Sequence, residues 1–196
     1  GEEKAIYYIP ASLRTVTIRN ESHVGYGAFY NCSMLEHINL YSEADKDEAG
    51  NTIMTVQTIG HYAFYGCMGL TQMYIPRDVK DLQSYVFANC HNLSDISLPE
   101  GLNTVGERAF MNCFNLKKLV IPASVSEIGL SLNGNYEGAI FEGCMSLEDL
   151  TIPFVGQSAI GVYDEDPSQY TGLGWLFGSN KPATDIYAKK FLLDVF

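Results

Sequence analysis

The chain has 196 residues, 46% of them hydrophobic, and carries 23 Asp and Glu against 12 Lys and Arg, a net charge of −11. That balance argues against DNA, RNA and anionic membrane surfaces as partners, because each is held through clustered Lys and Arg. No apolar run comes near the roughly 18 residues that cross a bilayer, so no membrane insertion is expected, and the composition suits one globular unit or one repeat array.

The first residues, Gly1-Glu2-Glu3-Lys4, are polar and lack an initiating Met, so a leader removed beforehand is expected and their polarity does not argue for the cytoplasm. Residues 1–12 read as a partial lead-in segment. From residue 13 the sequence becomes periodic. Phe29/Cys32, Phe64/Cys67, Phe87/Cys90, Phe110/Cys113 and Phe141/Cys144 repeat one Phe-x-x-Cys spacing, which accounts for all five cysteines. Phe64, Phe87 and Phe110 are 23 residues apart, twice in succession. A fixed period in the twenties is the signature of a solenoid, in which short units stack to share one core.

Each unit opens with a leucine three residues after its cysteine: Leu35, Leu70, Leu93, Leu116 and Leu147, with Leu13 opening the first. The fullest unit runs Leu93-Ser94-Asp95-Ile96-Ser97-Leu98-Pro99, then Val105-Gly106, then Ala109-Phe110-Met111-Asn112-Cys113. Apolar residues at its fourth and sixth positions alternate with polar ones, as in a half-buried strand. Proline at position 7 lacks an N–H and ends the ladder. A second short apolar stretch, such as Val125 to Ile128, supplies the opposite wall, and the Ala-Phe turn puts its ring into the core. Parallel rungs roughly 4.8 Å apart would stack the rings into one ladder and the thiols into another. That spacing is wider than a disulfide prefers, the cysteine count is odd, and no zinc spacing occurs, so five free buried thiols are expected.

Two units are stretched. Phe29 to Phe64 spans 35 residues, with an insertion near 41–52, and Phe110 to Phe141 spans 31, with another near 130–137. Regular rungs are therefore expected over 13–152, followed by an irregular unit and C-terminal end over 153–196, all within one solenoid over 1–196. In that last part Gly174 to Asn180 looks like another rung corner, and Asp185-Ile186-Tyr187 like a last strand.

The frame L-x-x-I-x-I-P, then I-G, then A-F-x-x-C resembles the BspA-like leucine-rich repeats of bacterial surface proteins over most of residues 13–153. The stretch from Ile152-Pro153 through Trp175-Leu176-Phe177-Gly178 is similar to an irregular unit found between such repeats in larger members. Arg19 and Tyr41 depart from the pattern in the Pro slot, Gln83 in the Gly slot and Ile140 in the Ala slot. The resemblance implies a right-handed array with a parallel β-sheet on one face and short turns and 3-10 pieces on the other. It also implies a secreted or surface-anchored protein engaged in adhesion.

Chemistry is sparse. His23, His37, His61 and His91 have no activated nucleophile in sequence context, and no nucleophile elbow, P-loop or dinucleotide fingerprint exists, so no enzyme activity is expected. No cofactor is expected either. Asp45 and Asp47, with Gly50, fit positions 1, 3 and 6 of a calcium loop, but Ala49 and Val56 fill positions 5 and 12, and a solvated acidic loop is the preferred reading. Asp164-Glu165-Asp166 is a weaker case. Binding is expected on the outward slots of the strands, at His37, Asn39, Gln72, Tyr74, Asp95, Lys118 and Asp149, with Tyr74 beside His37 and Asn39 giving contact area and a hydroxyl. Tyr26, Tyr62 and Tyr85 recur near the Phe turns and read as repeat packing. The expected function is a monomeric, extracellular, non-enzymatic adhesion module for a host or bacterial surface protein or glycan. The alternatives are a structural spacer presenting another domain and, further off, calcium-dependent ligand binding.

Overall fold

The computed structural model describes residues 9–41, 49–50, 54–130, 132, 138–154 and 176–178. Among them, eleven short strands alternate between two walls: β1 (Thr15–Ile18), β2 (His23–Val24), β3 (His37–Leu40), β4 (Thr58–Ile59), β5 (Gln72–Tyr74), β6 (Asp81–Leu82), β7 (Asp95–Ser97), β8 (Thr104–Gly106), β9 (Lys118–Val120), β10 (Glu127–Leu130) and β11 (Asp149–Thr151). The odd-numbered strands pair in parallel as β1–β3, β5–β7 and β9–β11, with β3 packed beside β5 and β7 beside β9. The even-numbered strands form one five-stranded parallel sheet in the order β2, β4, β6, β8, β10. The second wall is therefore itself a sheet, where the sequence suggested short turns and 3-10 pieces. Helix is confined, among the described residues, to Leu176 and Phe177.

Why the chain folds this way follows from the slots. In the odd strands the fourth position is turned inward, as at Ile96 and Leu119, while the third and fifth face out. Proline sets the length. Rungs ending in Pro76, Pro99, Pro122 and Pro153 carry three-residue strands. The first two rungs, with Arg19 and Tyr41 in that slot, extend the ladder by one pair, Ile18 with Leu40. There the Arg19 guanidinium stacks 4.5 Å over the Tyr41 ring and donates to its hydroxyl at 2.6 Å. In the other wall, β10 breaks register between Ile128 and Leu130 at Gly129, whose φ is +82°, immediately before the second insertion.

The core between the walls is the expected ladder of rings. Phe29, Phe64, Phe87, Phe110 and Phe141 stack at centroid separations of 5.5, 5.5, 5.9 and 6.1 Å, with their rings nearly parallel at every step. Phe177 lies against Phe141 at 5.7 Å, tilted by 43°, so that residue of the suggested terminal corner joins the row, while 174–175 and 179–180 lie outside the described residues. All five thiols are unbridged. They also do more than fill space: Sγ of Cys67, Cys90, Cys113 and Cys144 donates to the carbonyl of Phe29, Phe64, Phe87 and Phe110, respectively, one rung back. Each of those carbonyls already accepts the N–H of its own rung's cysteine, so the thiol takes its second lone pair.

The corner that turns each rung has a further requirement. The residue before every cysteine, namely Asn31, Gly66, Asn89, Asn112 and Gly143, lies in the left-handed region, which Asn and Gly tolerate best. At Gly66 and Gly143 a Cβ would fall 2.2 Å from the Asn31 or Asn112 side-chain oxygen below it, so an Asn there would have to turn that amide aside, as Asn112 does in bonding to Asn89.

Candidate functional site

The seven residues read from the sequence as a binding face do share one face. His37 and Asn39 stand on β3, Gln72 and Tyr74 on β5, Asp95 on β7, Lys118 on β9 and Asp149 on β11, all at exposed alternate positions. Register aligns Gln72 with Asp95 and Lys118 with Asp149, and His37 with Thr15. Tyr74 is 65% exposed on the strand adjoining that of His37 and Asn39. Part of the face is occupied with itself: Lys118 Nζ lies 2.7 Å from Asp149 Oδ2, and Asn39 Nδ2 donates to Thr17 Oγ1 at 3.3 Å.

At its edge the face runs into an open groove of about 450 Å³, lined by Ser33, Met34, Glu36, His37, Met68 and Thr71. The groove arises because the chain climbs from the cysteine corner to the next leucine with exposed residues, among them Met34 and Met68. His37 thus belongs both to the groove and to the sheet face. Polar faces, an imidazole and thioether edges suit contact with a macromolecular surface, and they provide no pair of groups set for bond making.

A serine hydroxyl meets an imidazole at Ser22 Oγ and His23 Nδ1, 2.6 Å apart, between chain neighbours at the exposed start of β2. Its neighbour Glu21 accepts the backbone N–H groups of Ser22 and His23, so the carboxylate caps the turn and does not orient the imidazole. Burial pushes the thiols up, to about 12 at Cys67 and Cys144, which keeps them protonated and poorly nucleophilic. Among the described residues no group of three or more His, Cys, Asp or Glu could hold a metal ion. Asp45, Asp47 and Asp164 to Asp166 lie outside the described residues, as does the strand suggested at Asp185 to Tyr187.

Sequence reasoning missed a second surface. Tyr26, Tyr62 and Tyr85, read there as packing residues, line up at the corner with Tyr30, Tyr65 and His61. Tyr30 stacks on Tyr65 and Tyr62 on Tyr85, both at 4.8 Å. One end of the row is tied down. The Tyr85 hydroxyl donates to Glu107 Oε1 at 2.9 Å and accepts from Arg108 Nη1 at 2.8 Å, while Arg108 also pairs with Glu107 and with Glu142. Burial and the Glu107 carboxylate push the Tyr85 phenol up to about 12. His61 instead accepts the Ser84 N–H at Nδ1, and burial lowers its pKa. The signal available was Tyr at two slots flanking Phe, Tyr62/Tyr65 in one rung and Tyr30 with Tyr85 in its neighbours.

Comparison with known proteins places this arrangement. The family model for the BspA type leucine rich repeat region matches residues 2–137 in 6 copies. The chain belongs to that family. The rung of Phe141, Cys144 and β11 lies past the matched stretch and keeps the same geometry. Among solved structures, a leucine rich repeat protein of T. pallidum (TpLRR) superposes with a TM-score of 0.56 at 24% identity, covering 71% of this chain and 70% of that one. A leucine-rich repeat protein from Bacteroides ovatus gives 0.53 at 22% identity, covering 71% of this chain and 37% of that one. These likenesses show the shared solenoid fold. A search of curated proteins finds no match. No helix among the described residues is long and apolar enough to cross a membrane.

Proposed function

We propose that the chain is a non-enzymatic binding module of a secreted or cell-surface protein, and that it adheres to a protein or glycan of a host or of another bacterium through the odd-strand face. The observation carrying this reading is the shared face: six strands, registered in three parallel pairs that pack side by side, present their third and fifth residues outward, from Thr15 and Thr17 to Asp149 and Thr151. His37, Asn39, Gln72 and Tyr74 are its working end, because His37 lines the groove and Tyr74 is the most exposed aromatic side chain of the face. Asp95, Lys118 and Asp149 supply charge that selects among partners more than it adds affinity. Family membership supports an interaction role.

One observation favours the spacer reading. Lys118 with Asp149 and Asn39 with Thr17 satisfy each other within the face, as expected of a surface that meets only water.

Binding of the purified chain to extracellular-matrix proteins, mucins and glycans, with and without calcium, tests both. A saturable hit weakened tenfold or more by His37→Ala with Tyr74→Ala supports the adhesion face. A hit that those changes leave intact moves the binding site off this face, and a blank from folded protein turns the assignment to the spacer. A hit abolished by chelating calcium moves it to the acidic insertion holding Asp45 and Asp47.

A further inference from the structure

The tyrosine row lies at the corner between the walls and shares no residue with the sheet face. Its order is set by the stack. Tyr26, Tyr62 and Tyr85 follow one another at centroid separations of 5.5 and 4.8 Å, and Tyr30 and Tyr65 run beside them, joined through the Tyr62–Tyr65 contact at 5.7 Å. At one end the Arg108 guanidinium lies 5.7 Å from the Tyr85 centroid. At the other, Tyr26 is 70% exposed and Tyr30 49%, and Tyr26 meets Tyr62 and His61 only at tilted angles, so much of its ring faces solvent.

A phenol ring presents a negative face to a cation. This chain uses that property within itself, where the Arg19 guanidinium lies 4.5 Å over the Tyr41 ring. The electrostatics around the row favour a second use. Arg108 is matched by two carboxylates, Glu107 and Glu142, so the tied end carries an excess of negative charge. His61 uses Nδ1 as an acceptor and is neutral near pH 7, so it does not repel a cation. The chain as a whole, at −11, draws basic partners and repels acidic ones.

We propose that the tyrosine row docks an arginine-bearing basic segment of a partner protein, with guanidinium groups over Tyr26 and Tyr30 as Arg19 lies over Tyr41. A neutral glycan would use the same rings through its C–H faces, but it draws nothing from the net charge and has no counterpart inside this molecule.

The test is calorimetric titration of the purified chain with the peptide Gly-Arg-Gly-Arg-Gly, alongside matched peptides carrying lysine or citrulline in place of arginine, and a neutral oligosaccharide. Saturable binding of the arginine peptide is expected, weaker for lysine and weaker still for uncharged citrulline. Each ring removed should cost about two- to fivefold, so Tyr26→Leu with Tyr30→Leu should weaken binding about fivefold or more. Met145→Ala, exposed on another part of the surface, should leave it unchanged. Quenching of tyrosine fluorescence in the unmodified chain by the arginine peptide, and not by citrulline, supplies a readout independent of any variant. Equal binding of citrulline, binding that survives loss of both tyrosines, no binding of the arginine peptide, or saturation by the oligosaccharide in its place would each overturn the proposal.

Discussion

The thiol of Cys113 donates to the carbonyl oxygen of Phe87 at 3.3 Å, and through it the turn of one rung is tied to the turn of the rung before. The Phe87 carbonyl also accepts the Cys90 N–H, so the thiol completes a carbonyl that is already half satisfied. Truncation to alanine removes the donor and a buried sulfur. Cys113→Ala is expected to cost about 1–3 kcal/mol in chemical denaturation, and Cys32→Ala, at the half-buried first position of the row, visibly less. Equal losses at the two positions would show that the carbonyl contact adds nothing.

The same thiols set a pH dependence. Burial raises Cys67 and Cys144 from the ordinary 9.0 to about 12, and Cys90 and Cys113 go well above that ordinary value. The unfolded chain loses these protons near pH 9 while the folded chain keeps them, so stability is full below pH 9 and falls as pH rises from 9 toward 12. Each silent thiol contributes a slope of up to about 1.4 kcal/mol per pH unit over that window. Melting temperatures measured from pH 7 to 10.5 should therefore fall beyond pH 9, and a Cys90→Val variant should fall less steeply. A flat profile would contradict buried, protonated thiols.

The ring ladder makes a mechanical prediction. Phe87 is fully buried between Phe64 and Phe110, so Phe87→Ala should destabilise by about 3–5 kcal/mol. Tyr74→Ala, on the exposed sheet face, should stay within about 0.5 kcal/mol. Denaturant midpoints at unchanged slope would check both, and comparable losses would argue against a load carried by the ladder.

Two glycines in one slot should behave differently. A Cβ at Gly106 would lie 2.4 Å from the Ser84 backbone nitrogen and 2.5 Å from the Gln83 carbonyl carbon, atoms that cannot yield without moving a rung. At Gly25, in the first rung, a Cβ meets nothing within 4 Å. Gly106→Ala is expected to cost about 1–3 kcal/mol and Gly25→Ala to be near neutral, again by denaturant midpoint. Tolerance at Gly106 would mean that the rungs are spaced more loosely than described.

Much of this architecture was legible because each repeated slot has one physical job. Phe in the core, leucine opening the strand and outward residues at alternate positions follow from periodicity alone, and Phe110, Leu116 and Tyr74 stand where that pattern puts them. The left-handed residue before each cysteine was also readable, since only Asn or Gly occupies it, yet the spacing Phe-x-x-Cys treats that slot as free. The other left-handed slot, two residues before Phe, was not readable: Tyr62, Tyr85, Arg108 and Ala139 adopt positive φ there without sharing any chemistry that marks it. The tyrosine row depends on that twist, which is why its convergence emerges only in three dimensions. The polyvalent sheet face was legible as a surface, whereas its partner is written in no single slot.

The inter-rung bonds have a further consequence. At each corner N–H groups point onward: Phe110 donates to Ile140, Asn112 to Glu142, and Phe141 to Leu176, while the thiols point back. Removing or duplicating one whole unit leaves every such donor facing an acceptor, but a break inside a unit strands buried amides. Rungs can therefore be gained or lost cleanly only as whole units, each new corner supplying the carbonyl that Leu176 supplies to Phe141.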